Sequence, residues 1–178
     1  MILEWFNTHL NVLTVVWLFP IIFMFHDFEE ILTVESWVKQ NKDFVFKKIP
    51  PFMHKHFYSS FQITTVQFAQ DVFRIFLAIT ASTLIAVLFS FYFPYLMFLA
   101  LFFAHVFTHI GQAVYLRKYT PGVMTSIFLV LPYSLYAYYR LLAEAVITSG
   151  DIIWSSLSMC AGVPFIFLYL VRSRNWRA

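Results

Sequence analysis

The sequence predicts an all-α polytopic membrane bundle of about five transmembrane helices, and three observations carry the prediction. Of its 178 residues 61% are hydrophobic and 12% charged, with a mean hydropathy of +0.73, too few charges to coat a soluble globule of this size. Long apolar runs alternate with proline, glycine and capping residues, and the basic residues gather between alternate runs. The single cysteine, Cys160, excludes an internal disulfide; in an apolar segment it reads as a small packing residue rather than a nucleophile.

The first apolar run, Val12 to Phe25, holds only 14 residues, whereas a hydrocarbon core of roughly 30 Å takes about 20 helical residues. Helix one must therefore continue through His26-Asp27-Phe28-Glu29-Glu30, and is placed at about 9–34 with a bend expected at Pro20. The N-terminus Met-Ile-Leu-Glu-Trp-Phe lacks the basic stretch of a cleavable signal, so this helix is expected to be retained. Helix two, about 61–92, opens on Ser59-Ser60-Phe61-Gln62, which reads as a capping box, and closes before Pro94. Helix three spans about 95–116. Helix four, about 122–147, follows Thr120-Pro121-Gly122, a cap and a proline suited to a first helical position. Thr148-Ser149-Gly150-Asp151 then supplies a glycine stop and an aspartate cap for helix five, about 152–171. Without an internal repeat, residues 1–178 read as one integral membrane domain.

Five spans put the segment 35–60, the turn 117–121 and the C-terminal tail on one side. That side holds Lys39, Lys42, Lys47, Lys48 and Lys55, Arg117 and Lys118, and Arg172, Arg174 and Arg177; the remaining two of the 12 basic residues, Arg74 and Arg140, fall within helices. The positive-inside rule then predicts an exterior N-terminus and a cytoplasmic C-terminus, in what is expected to be a bacterial cytoplasmic membrane. Trp37, Phe44, Phe46 and Ile49 among the lysines suit a basic loop, 35–60, lying on anionic lipid. Topology thus explains the sequence pI of about 9.0, and nucleic acid is excluded as a partner.

Three carboxylates at membrane depth are costly unless a cation meets them, and such residues mark functional sites. At about 100° per residue, Glu29, Glu30 and Asp27 fall near −60°, +40° and +100° from His26, sharing one arc while Phe28 points away. On helix three, His105, His109 and Gln112 form a second stripe near 0°, +40° and −20°, and Gly111 is expected to permit close packing. Counting 1.5 Å per residue from Lys39 and from Arg117 puts both stripes roughly 13–19 Å below the same boundary, so they should meet. Histidine nitrogens with carboxylate oxygens are the ligands of catalytic zinc and of non-haem iron or manganese. His26, Glu30, His105 and His109 are therefore the expected ligands of a divalent metal, zinc first. Glu29 is the expected general base, with Asp27, Asp71 and Gln112 in support. The alternative is an uncharged or proton-sharing polar network.

Elsewhere the residues have plainer readings. Asp71 lies level with the cluster if helix two starts early; otherwise it forms an interfacial ion pair with Arg74. Arg140 and Glu144, one turn apart among tyrosines, suit a salt bridge in an outer aromatic belt. His54 and His56, flanking Lys55, suit a solvated loop.

His26-Asp27-Phe28-Glu29-Glu30 resembles the motif of the HXXEE-domain membrane proteins, with His26, Glu29 and Glu30 as the matching positions; this family brings no established activity. A looser likeness joins the chain to intramembrane CAAX-type proteases, which pair glutamates with histidines on later helices, although Val34 stands where their pattern has arginine. Together the residues point to a metal-dependent hydrolase acting on a lipid or membrane-embedded ester, amide or peptide. A proton- or cation-coupled carrier, which at this size would need a homo-oligomer, and a noncatalytic membrane interaction or immunity protein are the competing readings.

Overall fold

A computed structural model describes residues 2–52, 54 and 60–175. It is all-helical, with no strand among the described residues. The helices are α1 (Ile2–His9), α2 (Val12–Lys48), a 3₁₀ turn (Ser60–Gln62), α3 (Thr65–Phe89), α4 (Phe93–Leu116), the short α5 (Val123–Thr125), a π segment (Ser126–Val130), α6 (Leu131–Ala143) and α7 (Ser149–Asn175). Three of them, α2, α3 and α4, are long and apolar enough to cross a membrane, by a search of the described residues. This is a membrane protein, and large apolar side chains such as Leu32, Leu88, Phe89 and Val114 form an outer surface suited to lipid.

Local chemistry sets most boundaries. Asn11 caps α2, its Oδ1 accepting from the Thr14 amide at 2.8 Å. Helix α2 runs past the expected end at 34 to Lys48, so the basic segment expected as a loop from residue 35 is helical that far. Glu35 Oε2 accepts from the Thr65 amide at 2.6 Å and hydroxyl at 2.7 Å, tying the start of α3 to that level of α2. The helix starting at Thr65 has its own reciprocal capping box, Thr64 with Gln67, in place of the one expected five residues earlier; Ser59 lies outside the described residues, as do Lys55, His56 and Arg177. His54 donates from Nε2 to the Ile49 carbonyl at 3.2 Å.

Pro94 starts α4 as expected. After Pro121 the helix begins only at Val123, with Gly122 at φ 81° as its cap. It ends at Ala143, earlier than the expected 147, and a left-handed Ala145 at φ 52° turns the chain. Thr148, rather than Asp151, caps α7: the Thr148 amide donates to Asp151 Oδ2 at 2.8 Å and the Asp151 amide to Thr148 Oγ1 at 3.2 Å. Cys160 is exposed on α7 rather than packed. Gly111 is exposed too, and a methyl group there would meet nothing within 4 Å, so it permits no close helix approach.

Helix α2 packs mainly along α3, and α4 along α7, with α5 to α6 crossing over α2 and α4. The core centres on Phe19, whose ring meets Tyr95 edge-on at 5.3 Å, with Phe102 and Tyr133 beside it. Pro20 removes the amide that would donate to the Val16 carbonyl. Beside this break the Tyr133 hydroxyl donates to the Val15 carbonyl at 3.0 Å. Its proton thus committed, Tyr133 accepts from Tyr95 at 2.9 Å. At the far end Arg140 is buried between Glu144, 2.9 Å away, and the Leu10 carbonyl, 3.1 Å away. The expected salt bridge exists, and it also closes the α1–α2 junction.

Candidate metal centre

Six residues beyond Pro20, α2 carries the acidic motif, and the bundle brings it against α4. The histidine rings of 26, 105 and 109 converge, with centroids 5.5 Å apart for His26–His105, 5.0 Å for His26–His109 and 4.2 Å for His105–His109. With Glu30 they form a group that can hold a metal ion, each residue offering one ligand atom and all four atoms lying within 4.8 Å of one another. Ligands of one tetrahedral zinc stand roughly 3.4 Å apart, given Zn–N and Zn–O lengths of about 2.0–2.2 Å, so small rotations close the set.

The proton positions follow from the partners. Thr125 Oγ1 lies 2.6 Å from Glu29 Oε2, to which it must donate when that carboxylate is ionised. His26 Nδ1, 2.9 Å from the same hydroxyl oxygen, is then the donor in that pair. This tautomer leaves the lone pair on His26 Nε2, a buried atom with no hydrogen-bond partner in the structure. A histidine held by a donor bond from one nitrogen and presenting the other is the arrangement of a metal ligand. His109 Nε2 sits 2.8 Å from His105 Nε2 and 3.4 Å from Glu30 Oε1. Two neutral imidazoles satisfy a hydrogen bond across that first distance, but such a bond does nothing for His26 Nε2.

Glu29 does not join the four. Its Oε1 accepts from the Tyr119 hydroxyl at 2.6 Å and its Oε2 from the Thr125 amide at 2.8 Å as well as from the Thr125 hydroxyl. Burial, followed by the bond to Glu29, pushes the Tyr119 hydroxyl up to about 12, so it remains a donor at neutral pH. The turn carrying Tyr119 is clipped to α2 by Trp37 Nε1, which donates to the Tyr119 carbonyl at 2.7 Å. Lys118 reaches Asn41 at 3.2 Å and lies over the Phe44 ring at 4.2 Å. Trp37 and Phe44 thus hold this turn.

Gly122 completes the site. A Cβ there would lie 2.6 Å from His109 Cε1 and 3.0 Å from Glu30 Cγ and Oε1, and its φ of 81° already favours glycine. Backbone therefore seals the cluster where a side chain cannot. Sequence reasoning missed Gly122, Thr125 and Tyr119. Pro121-Gly122 was the visible signal, since a glycine after a proline reports a turn that needs positive φ.

On its other side the cluster opens into a cavity of about 220 Å³ whose polar wall is His26, Asp27, Glu30, Asp71 and His105. Asp27 and Asp71 are both buried, and Asp27 Oδ2 has no hydrogen-bond partner. Asp71 both joins this wall and pairs with Arg74 at 3.1 Å, so the two readings of it hold together. Gln112 is exposed and stands outside the four.

A family model described as "Protein of unknown function with HXXEE motif" matches residues 17–137, more than half of the chain and all four clustered residues. No curated protein and no solved structure matches. The comparisons lend the likeness to CAAX-type proteases no support.

Proposed function

We propose that this chain, which belongs to the HXXEE family, is an intramembrane metal-dependent hydrolase of a lipid or membrane-embedded ester, amide or peptide. The observation that carries the reading is His26 Nε2, turned by Thr125 and Glu29 toward His105, His109 and Glu30 with no other group to satisfy it. The donor set suits zinc first, with iron or manganese as alternatives. A bound dication would supply Lewis acidity and acidify a water beside the substrate carbonyl. Three histidines and one carboxylate leave room for that water in a five-coordinate site.

The protein supplies the rest. Asp27, on the cavity wall with an unpartnered oxygen, is placed to take the proton as water adds to the carbonyl, and to return it to the departing alcohol or amine. The products are a carboxylic acid and that alcohol or amine. Glu29, expected from sequence to be this base, is occupied by Thr125 and Tyr119; it acts through Thr125 as a positioning residue for His26. We place the site in the cytoplasmic half of a bacterial membrane, with the N-terminus exterior and five spans.

Elemental analysis of gently purified protein tests the centre. Wild type should retain about one ion per chain and lose melting temperature on chelation, and His105→Ala should retain none. A metal-free wild type whose melting ignores chelator and added ions would sink the reading. In the loaded protein Asp27→Asn should cut turnover by about 10²–10⁴-fold with metal retained. Glu29→Gln should instead weaken metal binding by about 10–100-fold. A reconstituted protein that moves a solute across vesicles and forms no product would support the carrier. For topology, Gly150→Cys but not Gln40→Cys, each in a Cys160→Ser background, should react with an impermeant thiol reagent on intact cells; the opposite pattern overturns it.

A further inference from the structure

The cavity beside the cluster is ordered along the helix axes. On each of three helices a polar residue stands toward the basic end and apolar lining extends away from it: Glu30 then Phe23 on α2, Asp71 then Ile79 on α3, His105 then Phe98 on α4, with Phe68 of α3 the one lining residue on the basic side of these polar groups. Those separations of seven or eight residues amount to roughly 10–12 Å in every case. A volume of about 220 Å³ spread over that length makes the cavity elongated along the helix axes, a shape suited to one extended hydrocarbon chain. A second cavity of about 360 Å³ shares Ile75, Phe98 and Leu101 with the first and continues to Phe165 and Tyr169 of α7, both exposed on the outer face.

We infer that the substrate is a membrane lipid whose single acyl chain fills this cavity, entering between α3 and α7, with its carbonyl against His26, Glu30 and His105 and its tail toward Ile79. The inference rests on the hydrolase reading, and its geometry adds the direction. A lipid in the leaflet on the basic side, where Lys39, Lys42 and Lys118 lie, carries its headgroup at that side and its chain toward the bilayer middle. The cavity has the same polarity, so the lipid slides in laterally without inverting. An extended peptide would instead need its amide groups satisfied along the whole length, and beyond the polar end the lining offers only apolar side chains. Because a chain leaving the bilayer exchanges one apolar surrounding for another, recognition rests on the fit of the single chain and on the polar end that receives its carbonyl.

The probe is a lysophospholipid with a photoreactive diazirine near the end of its chain, added to wild-type protein in detergent with and without chelator. Adducts mapped by mass spectrometry should concentrate on Ile75, Ile79 and Phe98. Leu101→Trp, which puts an indole at a position lining both cavities, should cut them at least about tenfold, because the overfilled space no longer takes the chain. Ile79→Ala, which deepens the closed end, should shift competition toward longer chains and carries the test if Leu101→Trp does not fold. Labelling should survive chelation, so a failure of the metal reading stays distinct from a failure of this one. Adducts spread evenly over lipid-facing residues such as Leu32 and Val114, unchanged in Leu101→Trp and without a chain-length shift in Ile79→Ala, would overturn the inference.

Discussion

Two buried polar clusters lie on the same face of α2, on either side of Pro20, and they differ in whether their hydrogen bonding closes. In the tyrosine cluster each proton has a destination: Tyr95 donates to Tyr133, and Tyr133 to the Val15 carbonyl. Nothing in it is left over, and it serves to fasten α2, α4 and α6 across a proline break. In the histidine cluster donors and acceptors are unequal. Glu29, Thr125 and His26 form an ordered chain that ends on a lone pair, facing two more imidazoles and a carboxylate. A network that closes is architecture; one that ends on converging lone pairs can hold a cation. The contrast separates a site from a fastening without recourse to sequence motifs.

Gly122→Ala should disturb the pair most and most one-sidedly. Left-handed backbone costs a non-glycine residue roughly 1–2 kcal/mol, and a methyl 2.6 Å from His109 Cε1 adds overpacking of roughly 1–3 kcal/mol. The expected outcome is a lower melting temperature together with loss of bound metal, read by elemental analysis. Unchanged metal content in a folded Gly122→Ala protein would show that His109 is not a ligand.

Helical periodicity made the four clustering residues legible because each pair, His26 with Glu30 and His105 with His109, is a one-turn spacing, and counting from the nearest basic residue placed both pairs at one depth. Those are local quantities. Thr125, Tyr119 and Gly122 reach the site only because the chain returns over α2 after α4, and a capping or turn residue reads the same whether or not it faces a histidine. The same limit explains the segment 35–48: its lysines and aromatics announce an interface, but the contacts that hold it as helix, Trp37 to the Tyr119 carbonyl and Lys118 over Phe44, come from 80 or so residues away in sequence. The outcome for Glu29 has a related cause. Its place on the polar arc of α2 was legible, whereas the partners that occupy its oxygens were not.

Thr125→Val tests the ordered chain with a smaller effect. The side chain keeps its shape and loses the hydroxyl that links His26 Nδ1 to Glu29. Outer partners of metal-binding histidines are worth about 10–100-fold in affinity, or roughly 1.4–2.7 kcal/mol. Titration of the stripped protein with zinc should show that loss, and Thr125→Ser should restore it. Equal affinity in Thr125→Val and wild type would mean that His26 is oriented by packing against Phe102 rather than by its hydrogen bond.

Tyr133→Phe completes the comparison from the other cluster. The substitution keeps the ring that packs on Phe19 and removes one hydroxyl that is both donor and acceptor, so Val15 loses a donor and Tyr95 an acceptor. In a membrane bundle a hydrogen bond of this kind contributes about 0.6 kcal/mol on average and about 1.7 at most, because the separated helices also find partners. Two such bonds go at once, the one to the Val15 carbonyl and the one from Tyr95, so their losses add. Stability should therefore fall by about 1–2 kcal/mol in a reversible unfolding assay, while zinc affinity stays at the wild-type value. The two clusters share the α2 backbone through Phe23 and His26, so independence is the demanding part of this expectation. Should Tyr133→Phe also weaken zinc binding, the bend at Pro20 would be setting the angle at which His26 enters the centre, and the tyrosines would belong to the site as well as to the frame.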